Sequence, residues 1–148
     1  MSIGVLGLTR VAGPTVAETR VRRPAGLVVA ANTLVKVDFS TVDADALGAF
    51  SAAANTRLTV PAPGRYGLHA SGQWSGRVFF YSMIFLMVND AALAEELWSG
   101  DNGSDQLKQV CNRAVQLAAG DRIEMVVRHT DTGFTKTMTN ATLALVRL

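Results

Sequence analysis

The chain of 148 residues has little cysteine and histidine. Its single cysteine, Cys111, cannot form a disulfide within the chain, so nothing favours an oxidising compartment, and a buried inert thiol is expected. The two histidines, His69 and His129, stand far apart in sequence. A metalloenzyme centre built on several imidazoles therefore has no candidate ligands.

Long hydrophobic runs are also absent. The longest, residues 78–88, has about eleven residues and contains Ser82, whereas a membrane-spanning helix needs about twenty. The first ten residues place no positive charge ahead of their short apolar run, unlike a secretory signal. We therefore expect no membrane insertion and no export by that route.

Charge is scarce and unevenly placed. Charged residues make up 18% of the chain and hydrophobic residues 49%, which predicts one globular domain rather than disorder. Prolines and glycines interrupt the first 25 residues, which carry a net positive charge. We predict a basic arm over residues 1–25, which is either a docking segment or a linker, and a compact body over residues 26–148. No aromatic residue accompanies the arm's arginines, so they are a weak signal for nucleic acid. They would bind an acidic protein surface if the arm docks, and a solvated arm is the alternative. These arginines are Arg10, Arg20, Arg22 and Arg23.

The body has the pattern of β-strands. Apolar and polar positions alternate with period two in residues 66–74 and 122–128. In the second segment Ile123, Met125 and Val127 are expected to face a core and the charged residues solvent. Short turn segments separate such runs, which favours a sandwich or barrel. Residues 91–98 fit either a short helix or an irregular strand. Further strands are predicted over residues 27–31, 34–39, 57–60, 77–88, 107–117 and 141–148.

Two of the predicted strands, residues 78–88 and 143–146, are apolar on both faces. A sandwich strand has one face in the core, so something is expected to cover the other face. A neighbouring subunit is the simplest cover, and isolated exposed side chains or an overlying loop are the alternative. The side chains expected in the core or in a subunit interface are Tyr66, Leu68, Trp74, Phe79, Tyr81, Phe85, Leu143 and Leu145.

Several motifs occur in the order typical of one family. Residues 60–66, Val-Pro-Ala-Pro-Gly-Arg-Tyr, resemble the Val-Pro-x-x-Gly-x-Tyr turn of the complement C1q and tumour necrosis factor jelly rolls. Residues 86–90 resemble the family's strand that ends in an Asn-containing turn, residues 115–123 its Leu-x-x-Gly-Asp hairpin, and residues 141–148 its closing strand. The resemblance covers about residues 26–148. It implies an antiparallel jelly-roll sandwich of about ten strands that assembles as a homotrimer.

The chain departs from secreted family members because it has no collagen-like stalk and no signal peptide. In this it resembles small bacteriophage virion trimers, which implies a structural protein that decorates a capsid. Its arm would then dock on the major capsid protein or another virion protein, after assembly in the host cytoplasm. The alternative is a receptor- or carbohydrate-binding tip of a phage fibre, where Trp74 or Trp98 stacks on a host surface glycan.

No residues are arranged for catalysis, so neither an enzyme nor a cofactor is expected. His69 and Ser71 share a strand face, but the sequence shows no third group to orient them. Asp43 and Asp45 are expected to cap a turn. One loop offers oxygen ligands that Ca²⁺ accepts, but it lacks the full calcium-loop spacing, so a plain polar turn is favoured. Its weak candidate ligands are Asp101, Asn102 and Asp105.

Overall fold

The computed structural model describes residues 16–76, 80–99 and 106–148. These ranges contain eleven strands and one turn of 3₁₀ helix, Ala52–Ala54. The strands are β1 (Glu18–Arg23), β2 (Leu27–Ala30), β3 (Val35–Lys36), β4 (Thr41–Asp45), β5 (Arg57–Thr59), β6 (Gly64–Ser75), β7 (Tyr81–Val88), β8 (Ala91–Ser99), β9 (Gln106–Leu117), β10 (Arg122–His129) and β11 (Thr135–Arg147).

The strands form two sheets, and every described pairing is antiparallel. Sheet I has the order β4-β1-β11-β6-β9, with β2 added beside β11. Sheet II has the order β3-β10-β7-β8, with β5 added beside β10. Many spatial neighbours are distant in sequence, because the chain crosses repeatedly between the sheets. The predicted fold class, an all-β antiparallel jelly-roll sandwich, is confirmed.

The core lies between the sheets. In β6, every second side chain from Tyr66 to Trp74 is buried, and the sheet II strand β10 buries Ile123, Met125 and Val127. The alternation predicted for these two segments therefore holds on the core side. Leu143 and Leu145 of β11 complete the same core.

The structure corrects the boundary predicted between arm and body. Residues 18–23 form β1, which pairs with β11 on one side and β4 on the other. The described body therefore includes β1, and it does not begin at residue 26. Thr19 and Val21 point inward and are buried, whereas Arg20 and Arg22 point outward. Residues 1–15, including Arg10, lie outside the described residues.

The ambiguous segment at residues 91–98 is a strand, β8, whose pairing with β7 shifts register between Leu86 and Met87. This shift explains the irregular pattern. The strand predicted at residues 34–39 shortens to β3, and the one predicted at residues 141–148 lengthens into β11.

Glu124 corrects the prediction that the charged residues of β10 face solvent. It points away from the core, yet only 4% of its surface is exposed. Strand β10 lies between β3 and β5 on one side and β7 on the other, and register places Arg57 and Met87 beside Glu124. Its carboxylate pairs with Lys36, whose Nζ lies 2.6 Å from Oε2. Lys36 and β5 thus bury a charge that alternation alone assigns to solvent.

No helix long and apolar enough to cross a membrane occurs in the described ranges.

Candidate interaction surfaces

The outer face of sheet I carries a patch that contains no carboxylate, lysine or arginine. Strand register places residues of β11, β6 and β9 side by side in three rows. We call these nine residues the sheet I patch. Its rows are Val146, Gly67 and Ala114, then Ala144, His69 and Asn112, then Thr142, Ser71 and Val110.

The sheet I patch is made of small side chains and one polar bridge. His69 Nδ1 lies 2.6 Å from Asn112 Oδ1, which links β6 to β9 across the patch. Val110 is exposed, whereas Ala144 is buried although it points away from the core. Charged side chains stand only at the margins, with Arg20 and Arg22 on β1. Depletion of charge at the centre with charge at the rim is the composition of a protein interface.

A cleft of about 280 Å³ adjoins the sheet I patch. The pairing of β11 with β6 shifts register between Thr139 and Thr142, and Asn140 adopts a left-handed backbone with φ of 51°. Asn140 stands at this irregularity and contributes to the wall of the cleft. The cleft is lined by Ser71, Gly72, Gln73, Lys108, Gln109, Val110 and Asn140.

The arginines predicted to bind a partner already have partners within the chain. Arg22 donates two hydrogen bonds of 3.0 and 3.1 Å to the Asp43 carboxylate, and these hold the pKa of that carboxyl below its usual value. Arg20 Nη2 lies 3.0 Å from Glu18 Oε2, and Arg23 pairs with Asp38. Arg20, Arg22 and Arg23 are therefore side chains of a sheet, not of a free arm.

The two aspartates predicted to cap a turn have different roles. Asp45 Oδ1 accepts hydrogen bonds from the Ala49 backbone N–H at 2.9 Å and from Thr19 Oγ1 at 2.6 Å. It caps the turn after β4, as predicted. Asp43 instead pairs with Arg22, because β4 lies beside β1.

Most residues predicted for the core or interface lie in the core of the single chain. Tyr66, Leu68 and Trp74 are buried between the sheets, as are Leu143 and Leu145. Because these five face the opposite sheet, they are not available to another subunit. Two others, Tyr81 and Phe85, point outward from sheet II, and Tyr81 is 46% exposed. Phe79 lies outside the described residues.

The buried polar groups serve the fold. His129 is fully buried, with Nε2 2.7 Å from the carbonyl oxygen of Val29 and its ring edge against Trp74. Burial raises the pKa of the Cys111 thiol. Within residues 16–76, 80–99 and 106–148, no three His, Cys, Asp or Glu residues are grouped to hold a metal ion. The weak calcium candidates Asp101, Asn102 and Asp105 lie outside these ranges.

Exposed aromatic residues occur at one end of the sandwich. Phe80 and Tyr81 begin β7, and Trp98 lies opposite Ser82 near the end of β8. This end is opposite to the hairpin that joins β9 to β10, where Ala118 and Asp121 lie. Of the two tryptophans, only Trp98 reaches the surface, with 39% exposed.

The sheet I patch was not predicted from the sequence. The signal was present, since the positions between the buried residues of β6 include Gly67, His69 and Ser71, none of them Lys, Arg, Asp or Glu. That these positions align with similar ones on β9 and β11 depends on strand order, which the sequence did not reveal.

No protein-family model and no curated protein matches this sequence. Solved structures share its fold. The globular domain of a zebrafish complement 1qA protein is 15% identical, with a TM-score of 0.61, over 90% of this chain and 97% of that one. The Eiger tumour necrosis factor of S. frugiperda is 16% identical, with a TM-score of 0.60, over 90% of this chain and 92% of that one. The chain thus has the jelly-roll fold that these proteins share, as its motifs predicted.

Proposed function

We propose that this chain is a non-enzymatic assembly module that associates with itself as a homotrimer through the sheet I patch. The observation that carries the proposal is the run of three rows without a formal charge across β11, β6 and β9. The number three comes from the resemblance to the C1q and tumour necrosis factor jelly rolls. The cleft beside the patch would then lie at the edge of the subunit contact.

The physical basis is burial of small side chains on a regular sheet. Gly67, Ala114 and Ala144 let a second backbone approach closely, and Val110 and Val146 add apolar area worth about 25 cal/mol per Å² once buried. His69 Nδ1 and Asn112 Oδ1 are already paired with one another, so covering these two side chains leaves fewer unpaired polar atoms.

Light scattering coupled to size exclusion tests the proposal. We expect a mass three times the 15.7 kDa of one chain. Ala114→Arg places a charge in the patch at a position exposed in the single chain, so it should fold and yield monomers. Ala92→Arg, at an exposed alanine of β8, is the matched control and should leave the trimer intact. A monomeric parent, or a trimeric Ala114→Arg, would overturn the proposal.

The more specific part of the proposal is that the trimer decorates a bacteriophage capsid. The Arg147 N–H donates to the Ala17 carbonyl at 3.0 Å, so residues 1–15 join the body beside the C terminus. In a symmetric trimer three such segments start from the same end, and their joint docking gains from effective concentration. Because Arg20, Arg22 and Arg23 are paired internally, docking is assigned to residues 1–15, including Arg10.

Deleting residues 1–15 tests this part, since it leaves β1 in place. We expect the shortened chain to remain a trimer of unchanged melting temperature that no longer co-sediments with capsids. Co-sedimentation equal to that of the full chain would show that these residues are not the anchor.

A glycan-binding tip remains the second candidate, because Trp98, Phe80 and Tyr81 are exposed at the end opposite to residue 17. Trp74 takes no part, since it is fully buried. On a glycan array, binding by the full chain that Trp98→Ala abolishes would favour this function. If no glycan on the array binds, the result favours the capsid role.

A further inference from the structure

The outer face of sheet II carries an apolar strip that the proposed self-association does not cover. Within the chain Met83 and Val126 are already buried, whereas Phe85 is half-buried. Met83 and Phe85 of β7 and Val126 of β10 all point away from the core, and register places Phe85 beside Val126. Leu97 of β8 lies beside Met83 and is 49% exposed. Tyr81 extends the strip toward the end of the sandwich.

Two arginines without a carboxylate partner stand at the ends of this strip. Arg57 lies opposite Glu124, and Arg128 lies four residues further along β10, opposite Met83. The Nε atoms of both are buried and have no hydrogen-bond partner. Neither guanidinium forms an ion pair in the described part of the chain.

Two carboxylates on this side of the sandwich, Glu124 beside Arg57 and Asp90, have partners within the chain, while Glu95 lies beside Phe85 on β8. Glu124 pairs with Lys36, and Asp90 pairs with both Lys36 and Arg122, 3.3 and 2.9 Å away. These contacts raise the pKa of the Lys36 ammonium and lower the pKa of the Asp90 carboxyl. A buried N–H donor without an acceptor is costly, and a carboxylate brought by a partner would relieve that cost.

We propose that this face binds an extended acidic segment of a partner protein. Two carboxylates of the segment engage Arg57 and Arg128, and an apolar side chain between them packs on Phe85. Four residues along a strand span about 13 Å. Side chains i and i+4 of an extended segment have that spacing, and side chain i+2 falls between them on the same face.

The apolar centre decides which class of anion fits. A sulfated polysaccharide or a nucleic acid backbone offers charge but no apolar group to cover Phe85. A peptide in which acidic and apolar side chains alternate offers both the charge and the apolar group. Its backbone can still form hydrogen bonds with water. Sheet II lies on the opposite side of the sandwich from the sheet I patch, so this inference holds for a monomer as for a trimer.

Titration of the full chain with a synthetic peptide tests the inference. The probe is the capped heptapeptide Thr-Glu-Thr-Leu-Thr-Glu-Thr, followed by backbone amide NMR shifts. We expect shifts on β7 and β10, weakening with added salt. The same peptide with Lys in place of Glu should not bind, and the one with Ser in place of Leu should bind more weakly.

Variants of the protein locate the contact. Arg57→Gln and Arg128→Gln should each lower the affinity about tenfold, as expected for loss of a charge-assisted hydrogen bond. Arg113→Gln is the matched control, because Arg113 is exposed and makes no hydrogen bond or ion pair with the described residues. All three should keep the mass and melting temperature of the parent.

Several outcomes would overturn the inference: no binding of the acidic peptide at millimolar concentration, equal binding of its lysine version, or shifts confined to the sheet I patch. Equal competition by heparin would indicate a general polyanion surface and would also overturn it. The comparison of the acidic peptide with its lysine and serine versions tests the inference even if an arginine variant does not fold.

Discussion

Trp74 Nε1 donates a hydrogen bond of 2.7 Å to Gln109 Oε1, and Gln109 Nε2 donates one of 3.1 Å to the Ser82 carbonyl oxygen. Trp74 and Gln109 belong to sheet I, and Ser82 belongs to sheet II. One buried amide therefore satisfies the indole and ties the two sheets together. The indole N–H is paired without reaching the surface.

Replacing Gln109 with Leu should lower the free energy of unfolding by about 1–3 kcal/mol, because a buried donor and a buried acceptor lose their partner. Urea denaturation measures the loss. In a Trp74→Phe background the same replacement should cost less, since no indole donor remains. Equal costs in both backgrounds would show that the hydrogen bond contributes nothing.

Gly72→Ala should destabilise the fold by about 1–3 kcal/mol through overpacking. A Cβ at residue 72 would lie 2.2 Å from Sδ of Met138, which is fully buried. Gly64→Ala is the control, because its Cβ would meet nothing closer than 3.7 Å. Thermal melts of both variants measure the difference, and equal melting temperatures would contradict the close contact.

Asp121 should stabilise the fold in a pH-dependent way. Its carboxylate accepts hydrogen bonds from Asn89 Nδ2 at 2.9 Å and from the Ala118 N–H at 2.8 Å, and both lower its pKa below the usual 3.8. A lowered folded pKa gives stability that is present above the usual value and disappears as pH falls through the folded value.

Urea unfolding of the parent and of Asp121→Asn between pH 7 and pH 2 measures this effect. The parent should be the more stable at neutral pH, and the gap should narrow below the usual pKa. A gap that stays constant to the lowest pH would show that ionisation of Asp121 is not its source.

Cys111 should react slowly with iodoacetamide in the folded protein at pH 8 and rapidly in urea, because burial raises its pKa and keeps the thiol protonated. As pH rises through the usual value of 9.0, the unfolded chain ionises first, so stability should fall there. Cys111→Ser should lack this decline. Equal labelling rates in both states would refute the burial argument.

The strands that the sequence predicted are those whose inward residues are apolar and whose neighbours are turn residues, such as β6 and β10. Strands β1 and β4 were missed because Arg20, Arg22 and Asp43 occupy their outward positions and dominate the pattern. Pairing of Arg22 with Asp43 across the two strands is a tertiary property. The same holds for Glu124, whose burial depends on Lys36, distant in sequence.

Neither the sheet I patch nor the apolar strip on sheet II between Arg57 and Arg128 could be predicted from the sequence, for one physical reason. Alternation tells which side chains share a face of a strand, but not which strands lie beside it. Ala144, His69 and Asn112 come from three separated segments and meet only through strand order. The resemblance of the motifs predicted the fold. The contacts between strands that form a surface are known only from the structure.

Pairing of β1 with β11 also governs how the chain reaches its native state. Glu18 lies opposite Val146, so the first described strand can find its partner only when almost the whole chain has left the ribosome. Contacts this distant in sequence make loop closure slow, and folding in the range of milliseconds to seconds is typical of such topologies. Until then β1 presents an unpaired strand edge, and nascent chains are exposed to mispairing with one another.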